Sequence, residues 1–307
     1  MKTLIKIIAT ANILLVLQAC DPTGNPFVPS SETHSSGKTT IYIEDSYQPL
    51  FTTSLSVFGS QNPNAHIKPI YCSEYDVIHA FLTKKTKSIF ISRDFTKIEK
   101  AKLKASQIEV RSDKLAEDAV ALIVHPTNQD STMSIEKLKN ILLGKDSIWP
   151  TSKTKINVVF DNENSANFNY LMKLVNNANI SANVFAVKSN EEVINYVKNH
   201  PESIGVIGVN WISDKDDSEA LDFLNGIVVV GLSKKNGGEC FKPYQAYIFD
   251  KSYPLTRELW SINFSSKQGL ASGFIYFLTD LKGQMIIKKS SLVPANSPIR
   301  LIQINTK

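Results

Sequence analysis

Three places in the chain put hydroxyl, amide and charged side chains where an apolar run gives way to a turn that opens a helix. In the first, Ile41-Tyr42-Ile43 leads into Glu44, Asp45, Ser46 and Tyr47. In the second, Val158-Val159-Phe160 leads into Asp161, Asn162, Glu163, Asn164, Ser165, Ala166 and Asn167, ahead of Phe168, Leu171, Met172 and Val175 at helical spacing. The third is Ser92-Arg93-Asp94, after Ser88 to Ile91. Such turns can hold a small anion without transforming it, because the first N–H groups of a helix lack intrahelical partners and its dipole favours negative charge. Taken singly, each is also explained by plain helix capping, which draws on the same Ser, Asn and Asp residues.

The charges at these turns bear on what could be held. Glu44, Asp45, Asp161 and Glu163 are acids, and Arg93 is the one obvious cation. An anion needs donors, so a carboxylate in its shell is useful only as acceptor for a proton the anion still carries. The alternative is that some of these acids face solvent beyond the caps, and the residues alone leave both readings open.

Catalytic patterns are missing from the sequence. His34, His66, His79, His125 and His200 form no H-E-x-x-H, and none neighbours a serine in a nucleophile elbow. There is no P-loop and no G-x-G-x-x-G, so neither nucleotide hydrolysis nor a dinucleotide cofactor is expected. Cys20, Cys72 and Cys240 are too few for a disulfide scaffold and lack zinc-site spacing; whether Cys72 and Cys240 pair stays open. Trp149, Trp211 and Trp260 read as core or hinge packing. The sequence thus predicts a binding protein rather than an enzyme, with no cofactor and no metal.

The elements that must position these turns alternate between short apolar runs and amphipathic stretches, the pattern of an α/β sheet protein. Strands are expected at Thr40 to Ile43, Ile67 to Tyr71, Ser88 to Ser92, Ala119 to Val124, Ile156 to Phe160, Asn183 to Val187, Ile204 to Val209, Ile227 to Val230 and Ala246 to Phe249. Helices are marked by N-cap serines at Ser46, Ser73, Ser134 and Ser189, the last with Glu192 as a capping box. Gly144 and Pro201 mark helix ends. At 42% apolar and 21% charged, 307 residues can build two lobes with sizeable cores.

The N-terminus reads as an address. Lys2 and Lys6 precede an apolar run from Ile7 to Leu17, which is well short of the roughly 20 residues that span a bilayer. Leu17-Gln18-Ala19-Cys20 closes it and resembles the bacterial lipobox, in which the cysteine is lipidated. Loss of residues 1–19 takes the balance from 34 basic against 29 acidic residues to 32 against 29, a net +3. That charge is too mild and dispersed to imply nucleic acid. From Asp21 to Lys38, proline, glycine and serine dominate, as in a flexible tether.

The order of several motifs resembles the phosphate-binding protein family of ABC importers. They are Ala119-Leu122 through Pro126-Thr127-Asn128, Ile135 to Gly144 with Trp149, Asn199 to Val209 with Trp211, Tyr253-Pro254-Leu255-Thr256-Arg257, and Gly283-Gln284 through Leu292-Val293-Pro294. The resemblance runs from about Thr39 to Asn305 and implies a class II periplasmic-binding-protein fold, two α/β lobes joined by a strand hinge. Carried over by position, Ser46 and Ser92 match the family's helix-capping hydroxyls, and Ser165, Ala166 and Asn167 stand where it has Ser-Gly-Thr. Asp161 stands in place of the family's arginine and Arg93 in place of its aspartate, an exchange that would keep an Asp161–Arg93 pair across the cleft.

The resemblance implies a lipid-anchored receptor facing the periplasm or exterior of the cell envelope, with 1–19 as signal, 20–38 as tether, 39–122 and 244–307 as one lobe and 123–243 as the other. Its ligand would be phosphate or another small oxyanion, held by Asp45, Ser46, Tyr47, Ser92, Arg93, Asp161, Asn162, Asn164, Ser165, Ala166 and Asn167, and its partners ABC permease subunits. It would touch the membrane only through the lipid on Cys20 and would bind no nucleic acid. The alternative is an envelope sensory or scaffolding lipoprotein of the same fold without tight phosphate binding.

Overall fold

In a computed structural model that describes residues 32–213, 218–264 and 268–296, the chain opens with β1 (Gly37–Glu44), a single 3-10 turn at Asp45–Tyr47, α1 (Gln48–Gln61), β2 (Ala65–Cys72), α2 (Glu74–Leu82), β3 (Ser88–Ile91) and α3 (Lys97–Ala105). It continues through β4 (Val110–Val124), β5 (Thr132–Ser134), α4 (Ile135–Leu142), β6 (Asn157–Phe160), α5 (Ala166–Leu174), β7 (Val184–Ala186), α6 (Asn190–Asn199) and β8 (Ser203–Gly208). There follow α7 (Asn210–Ser213), α8 (Ser218–Leu224), β9 (Val228–Val229), β10 (Gly231–Ser233), α9 (Gln245–Phe249), β11 (Thr256–Phe264), α10 (Leu270–Thr279), α11 (Leu281–Lys289) and β12 (Val293–Pro294). Cys20 and the expected signal lie outside the described residues. No helix among the described residues is long and apolar enough to cross a membrane.

The strand β4 belongs to two sheet halves at once. Nine of its first ten residues pair antiparallel with β11, the register shifting at Leu115, and its last five, Val120 to Val124, pair antiparallel with β8. The strand order is therefore β2-β1-β3-β11-β4-β8-β6-β7, with β1, β2 and β3 parallel on one side and β6, β7 and β8 parallel on the other. This is the expected pair of α/β lobes joined through strands. In each half the parallel strands end toward the junction, where the carboxyl ends of an open α/β sheet hold ligands.

Burial follows the strand period of two. In β3, Phe90 joins the main core with Phe51 and Phe274, while Ile89 and Ile91 turn to a second cluster with Val77, Phe81 and Leu103. Trp149 is fully buried and donates its indole N–H to the Glu202 carbonyl at 2.8 Å, and Trp211 lies in the same core. Several local signals act as expected. Ser73, Ser134 and Ser189 each accept an N–H from the third residue of the following helix, and Gly144 adopts φ +72° after α4. The Glu192 carboxylate accepts from the Lys188 N–H, one residue before the cap it was expected to bond.

Three expectations are corrected. Ala246 to Phe249 is not a strand but lies within the short helix α9, since an apolar run of this length has no period of its own. Ser46 does not cap α1; it sits inside the 3-10 turn, and Tyr47 occupies the N-cap position without a side-chain bond. The strand expected at Ala119 to Val124 begins nine residues earlier, at Val110. Cys72 and Cys240 are both free thiols, half-buried and exposed respectively.

Candidate functional site

The carboxyl ends of β1, β6 and β8 meet the hinge strands β4 and β11 at the junction between the lobes. All but β8, which ends in Gly208, contribute a buried polar group there. Glu44 ends β1, Ser46 and Tyr47 follow it, Asp161 follows β6, Asp118 lies in β4 and Arg257 in β11; none is more than 5% exposed.

Arg257 is the cation of this cluster. Its Nε donates to Asp118 Oδ2 at 2.7 Å, its Nη1 donates to Asn167 Oδ1 at 2.9 Å, and Glu44 Oε1 lies 3.6 Å from Nη1. The register that pairs Arg257 with Asp118 across β11 and β4 fixes this ion pair in the backbone itself. The guanidinium also lies over the Tyr47 ring, 5.4 Å from its centroid. Burial alone would lower the arginine pKa, but Tyr47, Asp118 and Glu44 outweigh it and hold the group charged.

The β6–α5 turn builds a second half-shell. Ser165 caps α5 by accepting from the Phe168 N–H at 3.1 Å, and its hydroxyl donates to Asp161 Oδ1 at 2.7 Å. Asn167 and Asn190 both donate to Asp161 Oδ2, at 3.0 and 3.1 Å. Burial pushes the Asp161 carboxyl up, against the lowering effect of these donors and of Arg257. Ala166 is buried in the first turn of the helix, while Asn162 and Asn164 shape the loop, with Asn162 Oδ1 accepting the Asn164 N–H at 2.8 Å. Replacing Ser165 by alanine removes both the cap and one Asp161 donor. It is expected to lower stability by about 2 kcal/mol, read as a lower urea midpoint at unchanged slope, with Ser165→Thr close to the parent. A loss too small to resolve would contradict this account of the turn.

Arg93 is where the sequence reading must be corrected. It does not pair with Asp161: its Nε donates to Glu74 Oε1 at 2.7 Å and its terminal nitrogens to Glu99, at 2.9 and 3.1 Å. Glu99 is fixed by the Thr96 capping box of α3, and Arg93 lines the cavity edge between the lobes beside Glu74 and Asn169 rather than facing Asp161. Ser92 contributes its backbone N–H, which donates to Glu44 Oε2 at 2.9 Å. Asp45 is half-buried at the cluster's edge, and burial followed by the charges of Asp161 and Asp76 pushes its carboxyl up to about 6.

The sequence reading missed Arg257, Asp118, Asn190 and Asn210. Arg257 had a signal: in β11 it alternates in phase with Leu259 and Ser261, which are buried. Asn210 spans the junction, its Oδ1 accepting the Leu50 N–H of α1 at 2.9 Å. A second crossing bond runs from Asn169 Nδ2 to Glu74 Oε2 at 2.9 Å.

Several polar atoms of the cluster have no hydrogen-bond partner although they are buried: Arg257 Nη2, Ser46 Oγ, Tyr47 OH and Asn210 Nδ2, with the acceptors Glu44 Oε1 and Asp118 Oδ1. Tyr47 and Asp118 are near enough for their charges to interact, yet neither orphaned atom completes a bond. Gly208 is what lets these groups converge. A Cβ there would lie 2.9 Å from Ser46 Cβ and 3.1 Å from Arg257 Nη2, so any side chain would displace them. Among the described residues no group of three or more His, Cys, Asp or Glu side chains is placed to hold a metal ion.

Two α/β lobes joined through strands over a buried polar cluster define the two-lobed binding-protein fold. The chain belongs to the PBP superfamily, whose domain model matches residues 28–281. It is 26% identical over 204 residues to the phosphate-binding protein PstS of Staphylococcus aureus strain USA300, a match covering 63% of this chain and 59% of that relative's length. Its fold matches a putative phosphate ABC transporter substrate-binding protein from Clostridium perfringens, solved with bound phosphate, at TM-score 0.71 and 18% identity over 84% of this chain and 100% of that one. It also matches an ABC-type phosphate transport receptor from Vibrio cholerae at TM-score 0.64 and 17% identity, over 83% and 99% of the two chains.

Proposed function

We propose that this chain is a membrane-tethered solute receptor that captures phosphate between its lobes and delivers it to an ABC permease. The observation that carries the reading is the mixed set of orphaned atoms at the junction. Arg257 Nη2, Ser46 Oγ, Tyr47 OH and Asn210 Nδ2 can donate to anion oxygens, while Glu44 Oε1 and Asp118 Oδ1, when ionised, can only accept. A partly protonated phosphate offers both kinds of partner. Sulfate offers acceptors alone and would meet the carboxylates with repulsion. Asp161, held by Ser165, Asn167 and Asn190, positions the β6–α5 turn around the ligand.

The lobes are taken as 39–122 with 244–307, and 123–243, a division supported by the change of β4 partner at Ala119 and Val120. Cys20 would carry the lipid. Titration calorimetry of the chain from residue 20 tests the ligand: phosphate binds, sulfate binds at least about a hundredfold more weakly because unpaired buried carboxylates oppose it, and Arg93→Ala leaves phosphate affinity within a few-fold. Silence toward every oxyanion would overturn the reading. It would favour instead a sensory or scaffolding lipoprotein, a role to which the crossing bonds from Asn210 and Asn169 also lend themselves, since they hold the lobes together without a ligand.

A further inference from the structure

The edge of the first lobe farthest from the junction carries a groove of about 790 Å³. Lys38, Lys68, Lys84, Lys85 and Lys87 line it, over a floor that includes Phe58. All five lysines are exposed, and none makes an ion pair within the described residues. Glu32 is the one acid in the lining. The parallel strands explain the placement: β1, β2 and β3 start at this edge and end at the junction, so the groove and the junction site sit at opposite ends of the same sheet. One strand of eight residues separates them, about 25 Å.

The described chain begins at Glu32, in the lining of this groove. If Cys20 carries the anchor, the eleven intervening residues let Glu32 lie at most about 40 Å from it even when fully extended. A chain of that length keeps the cationic groove within reach of the bilayer, with the junction site at the opposite end of the sheet. We propose that the lysine groove is a docking surface for anionic lipid headgroups, holding the receptor on the membrane between deliveries with its ligand site turned outward. This rests on the tethered reading of the N-terminus. Screening confines the attraction to near contact, about 8 Å at physiological salt, which is why the short reach of the chain matters. Each lysine close to an anionic surface raises partitioning roughly fivefold.

The test uses the chain from residue 20 with Cys20→Ser, so that no lipid contributes; every described strand and helix lies within it. It is sedimented with vesicles of phosphatidylcholine alone, and of phosphatidylcholine with phosphatidylglycerol. Binding is expected only to the anionic vesicles, and to weaken with salt. Lys84→Glu, Lys85→Glu and Lys87→Glu together should cost well over a hundredfold, while Lys145→Glu, Lys155→Glu and Lys234→Glu, exposed and of equal net charge, should cost only a few-fold. Lys→Gln at the groove positions gives a milder loss and serves if the reversed variant does not fold. Equal loss in both triple variants, binding to neutral vesicles, no vesicle binding, or equally tight binding of soluble polyphosphate would overturn the assignment. Phosphate calorimetry on the same proteins keeps the two readings apart, because the groove variant should retain the ligand affinity of the parent.

Discussion

Arg257→Gln is expected to abolish phosphate binding and to lower the free energy of unfolding by about 3–5 kcal/mol. The side chain is 2% exposed and serves Asp118, Asn167 and Glu44 at once, so glutamine leaves two buried carboxyl groups without their cation. Removing one partner of a buried pair costs far more than the pair contributes, because the remaining charge must be neutralised or rehydrated. It also removes Nη2, an orphaned donor that lies against Gly208. A double variant, Arg257→Gln with Asp118→Asn, separates the two losses: stability should partly return because one stranded charge is gone, while binding should not. Arg93→Ala is the contrast. That side chain is 28% exposed and touches only Glu74, Glu99 and the Asp94 carbonyl, so about 1–2 kcal/mol is expected. Calorimetry and urea unfolding on the same preparations read both effects, and an Arg257→Gln protein that still binds phosphate would remove the junction from consideration as the site.

What could be read from the sequence is what local chemistry dictates. Ser73, Ser134, Ser189 and Gly144 announce helix ends because their partners lie within four residues. The hinge strands were hidden for the opposite reason. The first part of β4 carries Arg111, Asp113, Lys114, Glu117 and Asp118, and β11 carries Arg257 and Glu258, so neither reads as an apolar run. They are strands because their charges meet across the ladder: Lys114 donates to Glu258 at 2.6 Å and to Glu117 at 2.9 Å. The same blindness moved the cation of the site. Arg93 stands beside Ser92 and looks like a ligand donor, but its partner Glu74 lies nineteen residues away on another helix. Arg257 is far from every turn that suggested a site, and only pairing with β4 brings it there. Thus Asp161, Ser165 and Asn167 were legible as a group, and the charge they face was not.

The second large effect is on pH dependence, and it follows from Glu44. Burial first, and then the charge of Glu74, push its carboxyl from 4.5 up to about 7, against the lowering effect of Arg257 and of the bond from Ser92. Because the folded-state value is the higher one, the native protein holds this proton where the unfolded chain has lost it. The stabilisation is therefore complete below about 4.5 and is lost as pH rises through about 7. The difference amounts to about 3 kcal/mol of stability lost between pH 5 and 8, and Asp45 and Asp161, raised in the same direction, add to it with the same sign. Glu44→Gln should flatten this slope and leave the protein more stable than the parent at pH 8, since the amide oxygen can still accept the Ser92 N–H. Stability that rises across this window would contradict the buried-acid account. An arriving anion adds negative charge beside Glu44 and raises its proton affinity further, so phosphate binding above pH 7 should draw a proton from buffer, held between the carboxyl and the ligand. Calorimetry in buffers of different ionisation enthalpy reads that uptake directly. In Glu44→Gln it should shrink while binding persists, because the group that shares the proton is gone and the donors around Arg257 remain.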